Sequence, residues 1–264
     1  MNDRARIRPT KHPHRSDPHA QADAPAIWGG RVRLGSFWAL HRGAIGDNRP
    51  HAHHALQISA ARSGLLVDFG DKARAVNGIF ISSMRRHSLA PSHDTLSLYL
   101  DAASPIGRWL AGVFGSRADH LESHEAEALY DLHPNMANDD AIVSCLRRLS
   151  AAQCGQERSV DARLTQALAL LEEELGEPLP LQQLSADISL SAGRLSRLFQ
   201  QELGLPYRPY RRWRRVYQAL LFVQGGANLT EAAIAAGFSD SAHFSRTFRQ
   251  VFGVRPSEIA PLLN

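Results

Sequence analysis

The chain has 264 residues, 44% hydrophobic and 21% charged, ordinary values for one large or two modest globular domains. No apolar run approaches the roughly 18 residues of a membrane helix. The N-terminus lacks the apolar segment of a secretory signal, and two cysteines, Cys145 and Cys154, make no disulfide framework, so a reducing cytoplasm is the expected compartment.

The formal net charge is +4, and its distribution is uneven. From Ile188 to Asn264 ten arginines meet only four acids, Glu202, Glu231, Asp240 and Glu258. Lys11 and Lys72 are the only lysines, so nearly all the positive charge is guanidinium, which suits bidentate contacts to phosphate and guanine.

In chain order, residues 1–26 are polar and proline-rich, with scattered arginines and His12, His14 and His19, and read as a disordered arm. From Arg31 to about Asp101 the pattern is strand-like. Val32, Leu34, Trp38 and Leu40, then Leu56 and Ile58, then Leu96, Leu98 and Leu100 recur at period two, as on strands with one buried face. Gly46-Asp47-Asn48, Gly70-Asp71 and Asn77-Gly78 punctuate them as turns, and the spacing predicts a small barrel or sandwich.

After Pro105 the period becomes helical: Ile106, Trp109, Leu110 and Val113, then Leu121 to Tyr130, then Ile142, Cys145, Leu146 and Leu149. The apolar faces of these helices must pack on the barrel, on each other or on a second subunit. The polar stretch from Ala151 to Ser159 marks a boundary, giving a sensor and dimerisation domain over 27–152 and a second domain over 160–264.

The second domain is almost wholly helical in pattern. Leu164, Leu168, Leu171 and Leu175 form one stripe, stopped by Gly176 and Pro178; Leu181, Leu184 and Ile188 form the next. A third runs through Leu195, Leu198, Phe199 and Leu203 to Gly204. A long helix follows, with Trp213, Val216, Tyr217 and Leu220 on one face and Arg211, Arg212, Arg214 and Arg215 largely around the other.

Within this domain Arg194–Gly204 aligns with His243–Gly253 at an offset of 49 residues, with five identities in eleven positions and an apolar match at Leu195 and Phe244. The identities include the pairs Ser196/Ser245, Arg197/Arg246 and Phe199/Phe248. Each copy follows a short helix and a tight turn. In the second, Asn228 and Glu231 have capping-box spacing, Ala233 permits close packing, Gly237 makes the turn, and Ser239 or Ser241 caps the next helix. In the first, Ser185, Ser189 and Ser191 hold the equivalent places. This is the grammar of a helix-turn-helix, with Arg194, Arg197 and Gln201, and His243, Arg246 and Gln250, free to face outward.

The run from Gly237 to Arg249 (GFSDSAHFSRTFR), with Phe252–Ser257 (FGVRPS), Leu195–Phe199 (LSRLF) and Arg215–Ala219 (RVYQA), resembles the signature of the AraC/XylS family of bacterial transcription regulators over roughly residues 160 to 260. The resemblance implies two helix-turn-helix units on a long linking helix, set against successive major-groove segments of double-stranded DNA. The implied base contacts are Gly193, Arg194, Ser196 and Arg197 in the first unit and Ala242, His243 and Arg246 in the second. Arg211 and Arg212 are the expected phosphate contacts. Ser185 and Ser189 stand where the family usually has alanine and glycine, the Trp213-Arg214 order departs from its pattern, and Gly193 offers no side chain, so the first unit is expected to read fewer bases.

Upstream, Gly46, His51-Ala-His53, Gln57 and Gly64 resemble the first motif of a cupin, with glutamine for the usual glutamate; Gly78 and His87 fall where its second motif belongs, although Ser82 and Met84 replace the expected proline and glycine. The fold read from the sequence is therefore α+β in two domains, a cupin-like β-barrel with flanking helices and an all-α double helix-turn-helix. Sensor domains of this kind imply a small-molecule effector inside the barrel, near His51, His53, Gln57 and His87, and no cofactor; a structural or turn role for these histidines is the alternative reading. A divalent metal on His51, His53 and His87 is the lesser reading, since Gln57 is a weaker ligand than a carboxylate. His54, on the opposite strand face, is expected to be exposed.

The leading function is a non-enzymatic, effector-responsive transcription regulator in the cytoplasm, a homodimer that meets RNA polymerase if it is an activator and has no membrane partner. A cupin metalloenzyme with a DNA-binding tail lacks its carboxylate ligand; a DNA-binding metal sensor is the third possibility.

Overall fold

The computed structural model describes residues 27–114, 120–149, 161–174, 176–177 and 179–263. The arm at 1–26, the boundary at 151–159 with Cys154, and Leu175 and Pro178 lie outside the described residues.

The N-terminal half is one antiparallel sheet of β1 (Arg31–Leu34), β2 (Trp38–Ile45), β3 (Leu56–Asp68), β4 (Ala73–Ile81), β5 (Ser88–Leu89) and β6 (Ser92–Leu100). Its order is β1-β2-β6-β3-β4, with β5 paired to β3. The period-two pattern places Leu98 between Leu40 and Ile58, and Leu100 between Trp38 and Leu56, on a single face. That face is fully buried against Leu110 and Val113 of α1 (Pro105–Phe114), Leu129 of α2 (Ser123–Tyr130) and Ile142 and Leu146 of α3 (Asp139–Leu149). The apolar faces of the three helices are thus used within the chain.

The expectation of one buried face fails because Leu34 pairs with Ala39, which puts Val32 and Leu34 on the side opposite Trp38 and Leu40. That second face is buried too, under the C-terminal helices.

The expected barrel is also corrected. β1 and β4 are the two ends of the sheet and do not pair with each other, so it remains open. The edge of β1 is met at Leu34 by the Gln224 side chain of the second domain, which accepts from Leu34 N at 2.7 Å and donates to Leu34 O at 3.1 Å, while Val32 and Leu34 pack against Trp213, Tyr217 and Leu220. A register shift between Ala60 and Leu65 separates the far half of β3, which builds a smaller core with Ile45, Val67, Ile79, Ile81 and Leu89.

The second domain comprises α4 (Ala162–Glu173), α5 (Leu181–Asp187), α6 (Ala192–Leu203), α7 (Tyr207–Gln224), α8 (Leu229–Ala235), α9 (Ser241–Phe252), α10 (Pro256–Ile259) and a 3-10 turn at Ala260–Leu262. Side-chain caps fix the starts. The Ser191 oxygen accepts from the Arg194 amide, and Asn228 and Glu231 exchange the two bonds of a capping box. The cap of α9 is Asp240, which accepts from the His243 amide at 2.6 Å, while the Ser239 hydroxyl donates to Asp240. Neither Ser239 nor Ser241 takes that place, since a carboxylate is the stronger acceptor at a helix N-terminus.

The two helix-turn-helix turns close with the same pair of hydrogen bonds. Ser189 N donates to Ala186 O and Leu190 N to Ser185 O; Gly237 N donates to Ile234 O and Phe238 N to Ala233 O. Both turns need a left-handed residue, Gly237 at φ 78° and, in the first unit, Ser189 at φ 55°. Leu195, Phe199 and Leu203 fill the first unit's core with Leu164, Leu171 and Leu184, and Phe244 and Phe248 fill the second's with Val216 and Ala233.

Candidate nucleic-acid interface and the seam behind it

The reading faces of α6 and α9 lie on the surface. Arg194, Arg197 and Gln201 are exposed, as are Ala242, His243, Arg246 and Gln250, while Ser196 and Ser245 are half-buried. Gly193 is exposed, and nothing lies within 4 Å of where its side chain would start. The first unit therefore presents an open patch at the position where the second presents Ala242.

Between the two units runs a groove of about 740 Å³, lined by Ser196 from α6, His243 from α9, and Arg208, Arg211, Arg212 and Arg215 from α7. These four arginines fall at i, i+3, i+4 and i+7, one continuous helix face. Burial and the neighbouring Arg211 charge lower the Arg215 pKa from its ordinary 12.5, as expected in an electropositive groove. Arg211 and Arg215 both donate from Nη2 to the Glu177 carbonyl, which holds their guanidinium ends together on one side of α7. Sequence reading identifies Arg211 and Arg212 but passes over Arg208 and places Arg214 among them; the 3-4-7 spacing is the signal that separates them.

Arg214 belongs to the opposite face. It is buried, bonded at 2.7 Å to Asp101 Oδ2 at the end of β6 and bidentately at 2.6 Å to Glu172 of α4. His54, expected outside, is 2% exposed, with Nε2 3.3 Å from Asp101 Oδ1 and its ring edge-on to Tyr210. The strand begins after His54, at Leu56, so alternation across a regular strand does not apply to it.

The residues resembling a cupin motif meet at this seam. His51, His53 and His87 are buried, each offering a ring nitrogen within 4.8 Å of the others. His51 and His87 are joined by a two-bond backbone bridge, each amide donating to the other's carbonyl at 2.9 Å. Each Nδ1 sits on a carbonyl two residues away: Arg49 at 2.8 Å, Ala55 at 2.9 Å and Arg85 at 2.8 Å. Gln57 Oε1 lies 3.0 Å from the Nε2 atoms of both His53 and His87, and its amide nitrogen donates to Ser59. Burial and the neighbouring His87 lower the His51 pKa to about 4. Burial, then His87 and His51, depresses His53 strongly, and burial lowers His87, so the rings are neutral near pH 7.

Beside the cluster is an apolar cavity of about 70 Å³ shared by the two domains, with Val32, His41 and Tyr99 on one side and Trp213, Leu220 and Phe252 on the other. His41 Nδ1 and Trp213 Nε1 are buried there without a hydrogen-bond partner among the described residues.

Residues 184–260 match the family model described as a helix-turn-helix domain. The chain is 34% identical over 97 residues to the HTH-type transcriptional regulator GbdR of Pseudomonas aeruginosa, covering 36% of this chain and 26% of that protein. To the HTH-type transcriptional activator RhaS of Klebsiella pneumoniae it is 36% identical over 119 residues, 45% of this chain and 42% of the relative. The matched segments thus span less than half the length of either.

The C-terminal unit is an AraC-type helix-turn-helix domain, and the relatives it matches are transcription regulators rather than enzymes. In overall fold the chain is similar to apo ToxT of Vibrio cholerae, with a TM-score of 0.62 at 10% identity, covering 88% of this chain and 100% of that one. It is similar also to ToxT in its unsaturated fatty acid bound form, with a TM-score of 0.58 at 12% identity over 88% and 98% of the two chains. These likenesses give the architecture, an N-terminal antiparallel sheet joined to a helical domain. No helix of the described residues is long and apolar enough to cross a membrane.

Proposed function

We propose that the chain is a sequence-specific DNA-binding transcription regulator whose response is set by a ligand held between the sheet and the helix-turn-helix domain. The observation that carries this reading is the pair of exposed helices α6 and α9 flanking a groove of four arginines. Two helices that each enter a major-groove segment need cationic contacts to the phosphates between them. In this reading Arg194, Ser196 and Arg197 read bases in one segment, with Gly193 letting the backbone approach, and Ala242, His243 and Arg246 read the next. Arg211 and Arg212, with Arg208 and Arg215, neutralise phosphates.

The effector site is the shared cavity together with His51, His53, Gln57 and His87. A ligand there touches both domains, so it can favour one docking of the reading helices over another through differential contacts. The chain acts in the cytoplasm as a homodimer, and as an activator it would meet RNA polymerase. Iterative selection of duplexes from a random pool by the full-length chain tests the reading. Enrichment of a two-segment consensus is expected, and recovery of an unenriched pool despite tight binding would contradict it.

A further inference from the structure

The least ordinary chemistry in the molecule is a cluster of three buried imidazoles, two of which meet one amide oxygen. A carbonyl accepts hydrogen bonds only, so an Nδ1 atom 2.8 or 2.9 Å from a backbone carbonyl must carry its proton. The same constraint holds at His51, His53 and His87 and leaves all three Nε2 atoms as lone pairs. Gln57 Oε1 is also a lone-pair donor, yet it lies 3.0 Å from two of those nitrogens. Acceptors facing acceptors in a buried pocket repel unless a cation sits among them or the amide turns over to present its NH₂ group. The Ser59 hydroxyl, 2.9 Å from the Gln57 nitrogen and 2.7 Å from the Ser97 hydroxyl, can donate or accept and so serves either orientation of the amide; what suits a cation is the closeness of three buried ring nitrogens, within 4.8 Å of one another.

We infer that His51, His53 and His87, with Gln57, form a binding site for one divalent transition-metal ion, and that this ion couples the sheet to the second helix-turn-helix unit. The inference deepens the effector reading above and rests on it for the regulatory consequence. Three neutral imidazole nitrogens and one amide oxygen suit zinc, cobalt, nickel or copper(II), and neither the thiolate-preferring metals nor hard magnesium and calcium. Backbone carbonyls behind each ring supply the outer partners that orient histidine ligands. With no carboxylate in the set, the ion's charge stays uncompensated by its protein ligands, so Gln57→Glu strengthens the site.

The coupling is steric. Gly253, the left-handed cap at φ 75° that ends α9, lies directly on the His51 loop. A side-chain carbon there would fall 2.4 Å from Arg49 O and 2.9 Å from His51 Nδ1, and the Arg49 amide donates to the Gly253 carbonyl at 3.2 Å. The His53 ring packs 6.0 Å from Phe252 and 6.4 Å from Trp213. Drawing the three rings together on an ion therefore fixes the surface on which the end of α9 rests.

The test uses the full chain, cleared of metal by chelation. Calorimetry and visible absorption with Co²⁺, and calorimetry with Zn²⁺, are expected to give one ion per chain with nitrogen-rich coordination. His53→Ala should weaken it at least about 10-fold and Gln57→Glu should tighten it, the latter keeping the test decisive if the alanine variant does not fold. Zn²⁺ should slow amide hydrogen exchange in the segments around Arg49–His53 and Phe252–Gly253. No ion bound by the native chain or by Gln57→Glu would overturn the site. So would a bound ion indifferent to His53, which would assign it to other histidines such as those of the arm. A His53-dependent ion with unchanged exchange at Phe252–Gly253 would overturn the coupling. Binding of the metal-free chain to a selected duplex, followed by fluorescence anisotropy, is scored separately; its loss would count against the DNA-binding reading alone.

Discussion

Arg214 on the linking helix reaches Asp101 at the end of the central strand across 113 residues of sequence, with Nη1 2.7 Å from Oδ2 and both side chains 9% exposed. The same guanidinium forks onto Glu172 of α4, so a single side chain joins the sheet, the linking helix and the first helix of the C-terminal domain. Buried ion pairs gain little over apolar packing, but removing one partner strands the other in a low dielectric. Arg214→Met is therefore expected to cost about 3 to 5 kcal/mol in urea denaturation. Arg214→Met with Asp101→Leu should recover much of that loss. A single-variant cost near zero would contradict the clamp.

The pH dependence of this clamp has a definite sign. Burial alone would raise the Asp101 carboxyl, but the His54 ring and the Arg214 charge outweigh it and hold the pKa below the ordinary 3.8. The folded state thus takes up this proton less readily than the unfolded chain. Stability from Asp101 is present above the unfolded value and is lost as pH falls through the folded one. The difference in urea midpoint between wild type and Asp101→Asn should stay constant from neutral pH to about 5 and shrink below about 4. A gap that widens on acidification would mean the carboxyl is raised instead.

The paired turns allow a backbone test. Ser189 at φ 55° holds a conformation that costs a non-glycine residue about 1 kcal/mol, whereas Gly237 holds its equivalent freely. Ser189→Gly is expected to raise stability by up to about 1 kcal/mol, less the entropy glycine adds to the unfolded chain. Gly237→Ala should destabilise by more, because its new carbon would fall 2.5 Å from Gly176 O. Thermal melts that rank the two variants the other way would show the turns are not equivalent.

The helical domain was legible in the sequence because its signals are local. Caps, apolar stripes and the repeat around Ser196-Arg197 and Ser245-Arg246 all act within a few residues, and the structure keeps them except at α9, where Asp240 is the cap in place of Ser239 or Ser241. The open sheet was not legible. Whether Val32 and Leu34 meet a closing strand or Trp213 and Tyr217 is decided by contacts about 180 residues apart, such as the Tyr217 hydroxyl bonds to Gly35 O and Trp38 O. The same blindness misplaced Arg214 and His54, whose partners are Asp101 and elements far along the chain. The histidines could be paired in sequence as His51 and His53, since a two-residue spacing is local. His87 joins them in the sequence only through the resemblance to a cupin second motif, and in the structure through the backbone bridge it makes with His51.

Along the arginine stripe of α7, Arg212 is exposed and Arg208 sits one turn earlier. Replacing either with alanine should weaken binding to every duplex by a similar factor. It should also reduce the slope of log affinity against log salt by about 0.9 for each phosphate no longer neutralised. A weakening confined to one base pair of the selected site would move that arginine from the backbone to base reading.

The central claim, that α6 and α9 read DNA sequence, is tested most directly at Arg246, which is exposed on α9 and repeats Arg197 of α6. The measurement is equilibrium binding of wild type and Arg246→Ala to a selected duplex and to its set of single base-pair variants. Arg246→Ala is expected to lose about 1 to 3 kcal/mol on the selected site and to stop discriminating at one or two adjacent positions. Unchanged affinity and an unchanged discrimination profile in a folded Arg246→Ala variant would contradict the account.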